Sequence, residues 1–413
     1  MEEGMDTKEK VPAVVPKKTE KKPQKPWVRP RHLLVRNIAF VLLAPYTIWR
    51  YGIKIEKFKE KEDRPYFVLC NHTTPFDQFF LGISIPGRIY YVATEDIFSN
   101  GFVSSLIRYL IAPIPIKKQA ADITAIRNCM KVAKEGGTIA IAPEGNRTYS
   151  GKTEYMSPVI ASLARKLKMP IALYRIEGGY GVQPRWSDVV RKGRMRAYVS
   201  RVIQPEEYSA MTDDELFAII EKELYVHETE GLFKHKKRAE YLERAIYYCP
   251  DCGFAKLESK GHKAWCKSCG KEITYGEDMT LTGVPYKLVS EWYDAQKDYV
   301  NSVDTRLHTE KPIFTDTASI SEVIINKRKQ KLRKDSAIEL YGDRIVIDGD
   351  WVLPFSEVTA AAVLGRNKLN IYHDKHVYQF KGDKRFNALK YVNLCYRHKN
   401  ILKGDENGKF LGL

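Results

Sequence analysis

The chain has 413 residues, of which 44% are hydrophobic and 29% charged, with 26 Gly and 20 Pro; this is a globular composition, long enough for two or three domains. It excludes a collagen-like, coiled-coil-only or wholly disordered chain. With 68 Lys and Arg against 51 Asp and Glu the net charge is +17, which suggests a polyanionic partner: nucleic acid, an anionic membrane face or a phosphorylated substrate.

The surplus is clustered. Lys17 to Arg36 carries a net +7, Lys327 to Lys334 adds six charges and Lys234 to Arg238 adds four, so the rest of the chain is close to neutral. Residues 1–30, rich in Lys, Glu and Pro, read as a disordered basic tail. They lack the apolar core of a signal peptide. An apolar run from Ile38 to Trp49 follows, interrupted only by Pro45 and Thr47. It is shorter than the roughly 20 residues that a bilayer core requires. Residues 31–53 are therefore expected to form an interfacial membrane helix, with Tyr46, Trp49 and Tyr51 at headgroup depth and the preceding Lys/Arg cluster on anionic lipid. The alternative is a helix packed on the protein's own core.

From residue 65 the pattern alternates strand and helix. Apolar runs at Tyr66–Cys70, Ile89–Ala93, Ile114–Ile116, Thr138–Ala142 and Ile171–Ile176 read as buried strands, and Asp122–Lys134 and Tyr155–Lys168 as helices. Thr212 and Glu215 form a capping box ahead of Leu216, Ile219, Ile220 and Leu224. This is an α/β layer architecture over residues 54–233.

Two polar loops at strand ends carry the chemistry. In Cys70-Asn71-His72-Thr73-Thr74-Pro75-Phe76-Asp77 a His leaves a buried strand and an Asp follows five residues later. A helix starting at Pro75, a favourable first position, lets Asp77 fold back on the imidazole, fix its tautomer and leave the other nitrogen as a base. The plain alternative is a helix-capping Asp. Cys70, on the strand itself, reads as core rather than nucleophile. In Ile141-Ala142-Pro143-Glu144-Gly145-Asn146-Arg147, the second loop, Gly145 permits close backbone approach and Arg147 offers a planar fork for phosphate. Loops at neighbouring strand ends face one crevice, where α/β proteins place ligands.

Seven Cys are present, and four form Cys249-x2-Cys252-x13-Cys266-x2-Cys269. This is the spacing of two knuckles that donate four thiolates to one tetrahedral structural Zn2+, in a chain from a reducing compartment. Residues 234–280 therefore read as a zinc ribbon. A helical linker and basic segment (281–334) follows. Residues 335–413 hold short strands at Ile338–Leu340, Ile345–Ile347, Val352–Phe355, Leu369–Tyr372 and Val377–Phe380, closed by a helix from about Asp383.

The pair of loops, Asn71-His72-x4-Asp77 and Pro143-Glu144-Gly145-x-Arg147, resembles the signature of the glycerophospholipid acyltransferases, over about residues 35–225. The apolar block Met169-Pro170-Ile171-Ala172-Leu173 fits the same resemblance. It implies an α/β acyltransferase domain with a mainly β-sheet core. It further implies that His72 is the general base oriented by Asp77, and that Asn71, Lys118, Glu144, Gly145 and Arg147 bind the substrate. The implied reaction moves a fatty acyl group from acyl-CoA or an acyl-carrier-protein thioester to the hydroxyl of a lysophospholipid or glycerol phosphate, at the cytoplasmic face of the cell membrane. The pattern departs from the family at Asn146 and at Pro113-Ile114-Pro115-Ile116-Lys117-Lys118, where Lys118 supplies charge without the bidentate geometry of an Arg. The C-terminal segment resembles pleckstrin-homology-like (PH) or GRAM modules. The rival reading, a nucleic-acid-binding zinc ribbon or membrane scaffold, leaves both loop motifs unexplained; the basic clusters also lack interleaved aromatics for base stacking, so no nucleic acid is expected.

Overall fold

The computed structural model describes residues 26–60, 64–99, 101–116, 122–324, 329–405 and 411–412. The expected tail over 1–30 therefore lies almost wholly outside the described residues, as do Lys118 and part of the Lys327–Lys334 cluster.

Helix α1 (Pro30–Tyr51) leads into a seven-stranded sheet ordered β1-β7-β6-β2-β5-β3-β4. Its strands are β1 (Ile53–Ile55), β2 (Phe67–Cys70), β3 (Ile89–Thr94), β4 (Ile114–Ile116), β5 (Thr138–Ile141), β6 (Ile171–Glu177) and β7 (Met195–Ile203). β6 and β7 are antiparallel; every other neighbouring pair is parallel. The helices are α2 (Asp77–Ser84), α3 (Phe102–Ile111), α4 (Ile123–Lys134), α5 (Val159–Leu167), the short α6 (Gly179–Val182) and α7 (Pro205–Ser209), and α8 (Asp213–Leu224). α8 starts at the capping box of Thr212 and Glu215.

Successive residues of a strand face opposite sides of the sheet, and the two sides have different covers. Phe67, Leu69, Ile139 and Ile171 pack with Cys129 and Val132 of α4, Ile160 of α5 and Leu216 and Ile220 of α8. Val68, Cys70, Ala140, Ala172 and Tyr174 face a second core that runs on through Trp186 and Phe233 into the C-terminal half, as far as Tyr391 and Leu411. The α/β unit thus has one face completed by later parts of the chain. Phe233 fills the space above Gly181 and Gly193, and Trp186 packs against Tyr275, with ring centroids 6.0 Å apart.

Beyond residue 245 a hairpin of β8 (Tyr248–Cys249) and β9 (Gly253–Phe254) precedes a four-stranded antiparallel sheet of β10 (Leu257–Lys260), β11 (Lys263–Cys266), β12 (Glu272–Tyr275) and β13 (Leu281–Thr282). After α9 (Val289–Ser302) comes a seven-stranded antiparallel sheet: β14 (Phe314–Glu322), β15 (Gln330–Leu340), β16 (Arg344–Ile347), β17 (Trp351–Pro354), β18 (Val358–Leu364), β19 (Lys368–His373) and β20 (His376–Gly382). Its order is β17-β16-β15-β14-β20-β19-β18, and α10 (Leu389–Leu402) closes it. This last helix starts six residues after the expected Asp383. An Asp383–Ala388 turn intervenes, with the Phe386 N–H bonded to the Asp383 carbonyl.

α1 is longer than its uncharged run suggests: 22 residues, about 33 Å at 1.5 Å per residue. By length and composition it suffices to cross a membrane. One side rests on the protein. Arg36 donates to the carbonyls of Gly82 and Ile85, His32 Nδ1 lies 2.9 Å from the Tyr90 hydroxyl, and Arg31 reaches the Tyr109 carbonyl. The other side exposes Leu34, Ile38, Val41, Leu42, Tyr46 and Trp49, beside Phe102, Val103 and Tyr109 of α3.

Candidate active site

β2 and β5 are parallel neighbours, paired from Phe67 with Ile139 to Leu69 with Ile141. The loops that follow them therefore leave the same edge of the sheet. His72 Nδ1 lies 2.7 Å from Asp77 Oδ2. The helix behind this contact starts at Asp77 rather than at Pro75; Pro75 sits in a preceding turn, with Phe76 as the N-cap. Starting two residues later frees the carboxylate to close the turn. Its Oδ2 accepts the Thr73 N–H at 2.7 Å, and its Oδ1 accepts the Thr74 N–H at 3.0 Å and the Thr74 hydroxyl at 2.6 Å. Asp77 is 3% exposed and rigidly held. The His72 side chain is 27% exposed, and its Nε2 has no hydrogen-bond partner among the described residues. The ring is thus fixed at one nitrogen and open at the other, the arrangement of a general base.

The second loop braces the first. Glu144 Oε1 accepts the His72 N–H and its Oε2 the Glu154 N–H, both at 2.7 Å, while the Thr148 N–H donates to the His72 carbonyl at 3.1 Å. Burial pushes the Glu144 carboxyl well above its ordinary range, and the N–H donors of Glu154 and His72 work against that rise. Asn71 spends both ends of its amide on the backbone of Ile176 in β6, each at 2.8 Å. Gly145 has φ +66°, with open space where a Cβ would stand, so its need for glycine is conformational. Arg147 is 9% exposed, and its Nη1 is buried without a partner. Burial, then the neighbouring charges of Arg185 and Arg366, lower its pKa to about 10, while Asp77 pulls the other way. Cys70 is buried, its thiol pushed far up by desolvation, which suits the core and not a nucleophile.

Three residues near this site have no signal in the local sequence. Arg185 donates to the carbonyls of Arg147, Gly365 and Val363 at 2.9, 2.9 and 2.8 Å. The Tyr149 hydroxyl donates to the Arg366 carbonyl at 3.0 Å. Arg366 itself comes from the β18–β19 turn, some 220 residues after Arg147.

Among the described residues, one cluster offers metal-type ligands. The Sγ atoms of Cys249, Cys252, Cys266 and Cys269 lie within 4.8 Å of one another. The Cys249–Cys269 and Cys252–Cys266 sulfur separations are 3.8 and 4.0 Å. A tetrahedron of thiolates about 2.3 Å from zinc has edges of about 3.8 Å, so the four residues fit that ion. Gly253 and Gly270, next to the pairs, both have φ +74° and allow the knuckle turns.

Residues 53–176 match the protein family described as Acyltransferase. The chain is 24% identical over 178 residues to a 1-acyl-sn-glycerol-3-phosphate acyltransferase of Bacillus subtilis, covering 42% of this chain and 85% of the relative. It is 18% and 19% identical to chloroplastic 1-acyl-sn-glycerol-3-phosphate acyltransferases of Brassica napus and Arabidopsis thaliana, spanning 53% and 51% of their lengths. The crystal structure of a 1-acyl-sn-glycerophosphate acyltransferase from Thermotoga maritima aligns over 46% of this chain and 90% of its own, at 18% identity and a TM-score of 0.36. The unit that carries His72, Asp77 and Arg147 is thus an acyltransferase domain, in an enzyme similar to the 1-acylglycerol-3-phosphate O-acyltransferases.

Proposed function

We propose that the protein transfers a fatty acyl group from a thioester, acyl-CoA or acyl-ACP, to the free hydroxyl of a 1-acylglycerol 3-phosphate. The observation that carries this reading is the 2.7 Å contact of Asp77 with His72 Nδ1, which leaves Nε2 open, while the neighbouring loop buries a partnerless Arg147 Nη1. His72 Nε2 takes the proton of the acceptor hydroxyl as that oxygen attacks the thioester carbonyl. Asp77 stabilises the imidazolium as it forms. The tetrahedral intermediate collapses, the C–S bond breaks, and the proton passes from His72 to the leaving thiolate, giving ester and free thiol. Arg147 binds the acceptor phosphate as a charge-assisted fork. In this reading Asn71, Glu144 and Gly145 shape the two loops instead of touching substrate, since their polar groups are engaged by backbone.

The exposed apolar residues of α1 and α3 support docking at the membrane interface, where a lipid acceptor resides, with the Arg-containing start of α1 toward anionic headgroups. A structural zinc held by Cys249, Cys252, Cys266 and Cys269, and a PH- or GRAM-like role for the C-terminal sheet, belong to the same proposal. The test is purified full-length protein given acyl-CoA or acyl-ACP with 1-acylglycerol 3-phosphate, other lysophospholipids and glycerol 3-phosphate, with products read by mass spectrometry. The expected product is the diacylated phosphate; no ester from any phosphorylated acceptor would refute the reading. In parallel, Leu42→Glu with Trp49→Glu should release the protein from anionic vesicles, and unchanged sedimentation would remove the interfacial role of α1.

A further inference from the structure

The loop that carries Arg147 is held against a part of the chain outside the acyltransferase domain. The turn between β18 and β19, with Gly365 at φ +64°, is fastened to the Glu144–Arg147 loop by a clamp. Arg185 donates to Val363 and Gly365 on the turn, and to the Arg147 carbonyl and the Asn146 side chain on the loop. The Arg185 guanidinium also lies over the Tyr149 ring, 4.3 Å from its centroid, while the Tyr149 hydroxyl holds the Arg366 carbonyl. Asn367 ties the far side of the turn to the Asp383 carbonyl at 2.9 Å. The backbone of residues 363–366 is therefore fixed against the loop that carries Arg147.

The Arg366 side chain is not consumed by this clamp. It is 34% exposed, and its Nη1 lies 3.2 Å from Asp188 Oδ1. Asp188 does not depend on it, because Arg244 holds both carboxylate oxygens, at 2.6 and 3.4 Å. Arg366 can therefore turn to another anion without leaving the Asp188 carboxylate unpaired. Tyr51, at the end of α1, packs beside Phe76 with its hydroxyl buried. That hydroxyl donates to Gln183. Burial first and the Asp77 charge second push its pKa up, against the charges of Arg50, Arg147 and Arg366. Geometry joins these groups through the backbone: Arg185 bridges the carbonyls of Gly365 and Arg147, Tyr149 holds the Arg366 carbonyl, and the Thr148 N–H of the same loop bonds the His72 carbonyl.

Resting on the acyl-acceptor reading above, we propose that the acceptor's phosphate is bound between two parts of the chain, by Arg147 of the acyltransferase domain and by Arg366 of the C-terminal sheet. Two guanidiniums suit a phosphate monoester, which carries a charge between about −1.5 and −2 at neutral pH and three strong acceptor oxygens. This makes the C-terminal sheet part of the acceptor site and a determinant of specificity for phosphorylated acceptors. It also explains why a partnerless buried guanidinium nitrogen is tolerated beside two further arginines, since the missing charge arrives with the substrate.

The test compares wild-type, Arg366→Ala and Arg366→Lys full-length proteins in neutral phosphatidylcholine vesicles at saturating donor, with 1-oleoylglycerol 3-phosphate or uncharged 1-oleoylglycerol as acceptor. Arg366→Ala should raise KM for the phosphorylated acceptor roughly tenfold, the lower end expected for losing a hydrogen bond to a charged group, with kcat within about threefold. KM for the uncharged acceptor should not change, and Arg366→Lys should restore part of the loss. A KM within about twofold of wild type in Arg366→Ala, or an equal rise for both acceptors, overturns the proposal. If wild-type protein acylates no phosphorylated acceptor, the acyl-acceptor reading fails on its own. Calorimetric binding of sn-glycerol 3-phosphate then decides: weakened binding in Arg366→Ala retains the two-arginine site, and no binding by wild type removes it.

Discussion

Replacing Asp77 by Asn separates what its shape does from what its charge does. The carboxylate is 3% exposed and accepts from the Thr73 and Thr74 N–H groups, the Thr74 hydroxyl and His72 Nδ1. An amide oxygen in the Oδ2 position keeps the Thr73 N–H contact and the 3.1 Å contact of the Thr74 N–H, losing that of Thr74 to Oδ1, and the Thr74 hydroxyl can turn to accept from the amide nitrogen. The fold should therefore lose only about 1–2 kcal/mol. The chemistry should lose much more. In the transition state the imidazolium and carboxylate charges sit about 4 Å apart at a partly exposed site, where an effective dielectric of about 20 gives an attraction of about 4 kcal/mol. At 1.36 kcal/mol per decade this is about a thousandfold in kcat. KM should stay nearly constant, because Asp77 does not meet the acceptor phosphate. The assay is steady-state kinetics with acyl thioester and 1-acylglycerol 3-phosphate, with thermal melting on the same samples. A folded Asp77→Asn enzyme that keeps more than about a tenth of wild-type kcat would refute this role of the carboxylate, since general-base catalysis alone is worth about a hundredfold or more.

Arg147 is lowered to about 10 by burial and by Arg185 and Arg366, so it sheds its charge as pH rises through that value. kcat/KM for the phosphorylated acceptor should fall above about pH 10 while that for 1-oleoylglycerol stays level; parallel profiles to pH 11, on protein shown to be folded by circular dichroism, would contradict the phosphate role. Purified protein should carry one zinc per chain by elemental mass spectrometry, and Cys266→Ser should lose both the metal and activity, because the ribbon's core is continuous with that of the acyltransferase domain through Tyr275 and Trp186. Stoichiometric zinc retained by that variant would rule out the four-thiolate site. Glu228, half-buried, accepts the Tyr180 and Gly181 N–H groups, and desolvation raises it to about 7. Its folded pKa lies above its unfolded one, so its contribution is complete below about pH 4.5 and is lost as pH rises through 7. Between pH 5 and 8 this costs the wild type on the order of 3 kcal/mol, which Glu228→Gln should not lose. Urea unfolding at both pH values measures the difference, and equal slopes for the two proteins would refute the assignment.

The two polar loops are legible because their pattern is local: a His leaving a buried strand, an Asp five residues on, and a second polar loop at the end of the neighbouring strand. β2, β5 and β6 are legible for a related reason, since a strand buried on both faces reads as an apolar run; β3 and β4 are apolar runs that stay partly exposed. β1 (Ile-Lys-Ile) is split by a Lys and gives no apolar run, and β18 (Val-Thr-Ala-Ala-Ala-Val-Leu) is an Ala-rich run that fits a helix as well as a strand. The start of α2 was misplaced because Pro75 is a good first helical residue, whereas the four-donor turn around Asp77 outweighs that preference. Asn71 and Glu144 look like ligand-binding residues in one dimension; only the fold reveals that Ile176, His72 and Glu154 present backbone partners to them. The Arg185 clamp and Arg366 were beyond reach, because they join segments about 180 to 220 residues apart with no motif at either end. The same holds for the shared core: nothing in residues 54–233 announces that one face of their sheet is completed by Phe233, Trp186 and the C-terminal half.

The proposed function turns on acyl transfer to a phosphorylated acceptor by an oriented His72. Its most direct test is product formation by wild-type and His72→Ala full-length protein, with acyl thioester and 1-acylglycerol 3-phosphate in the same vesicles and matched melting temperature and zinc content. The wild type should form diacylated phosphate, and turnover in the variant should be about a hundredfold to ten-thousandfold lower, the range for loss of a positioned base. Equal turnover by the two proteins would contradict it.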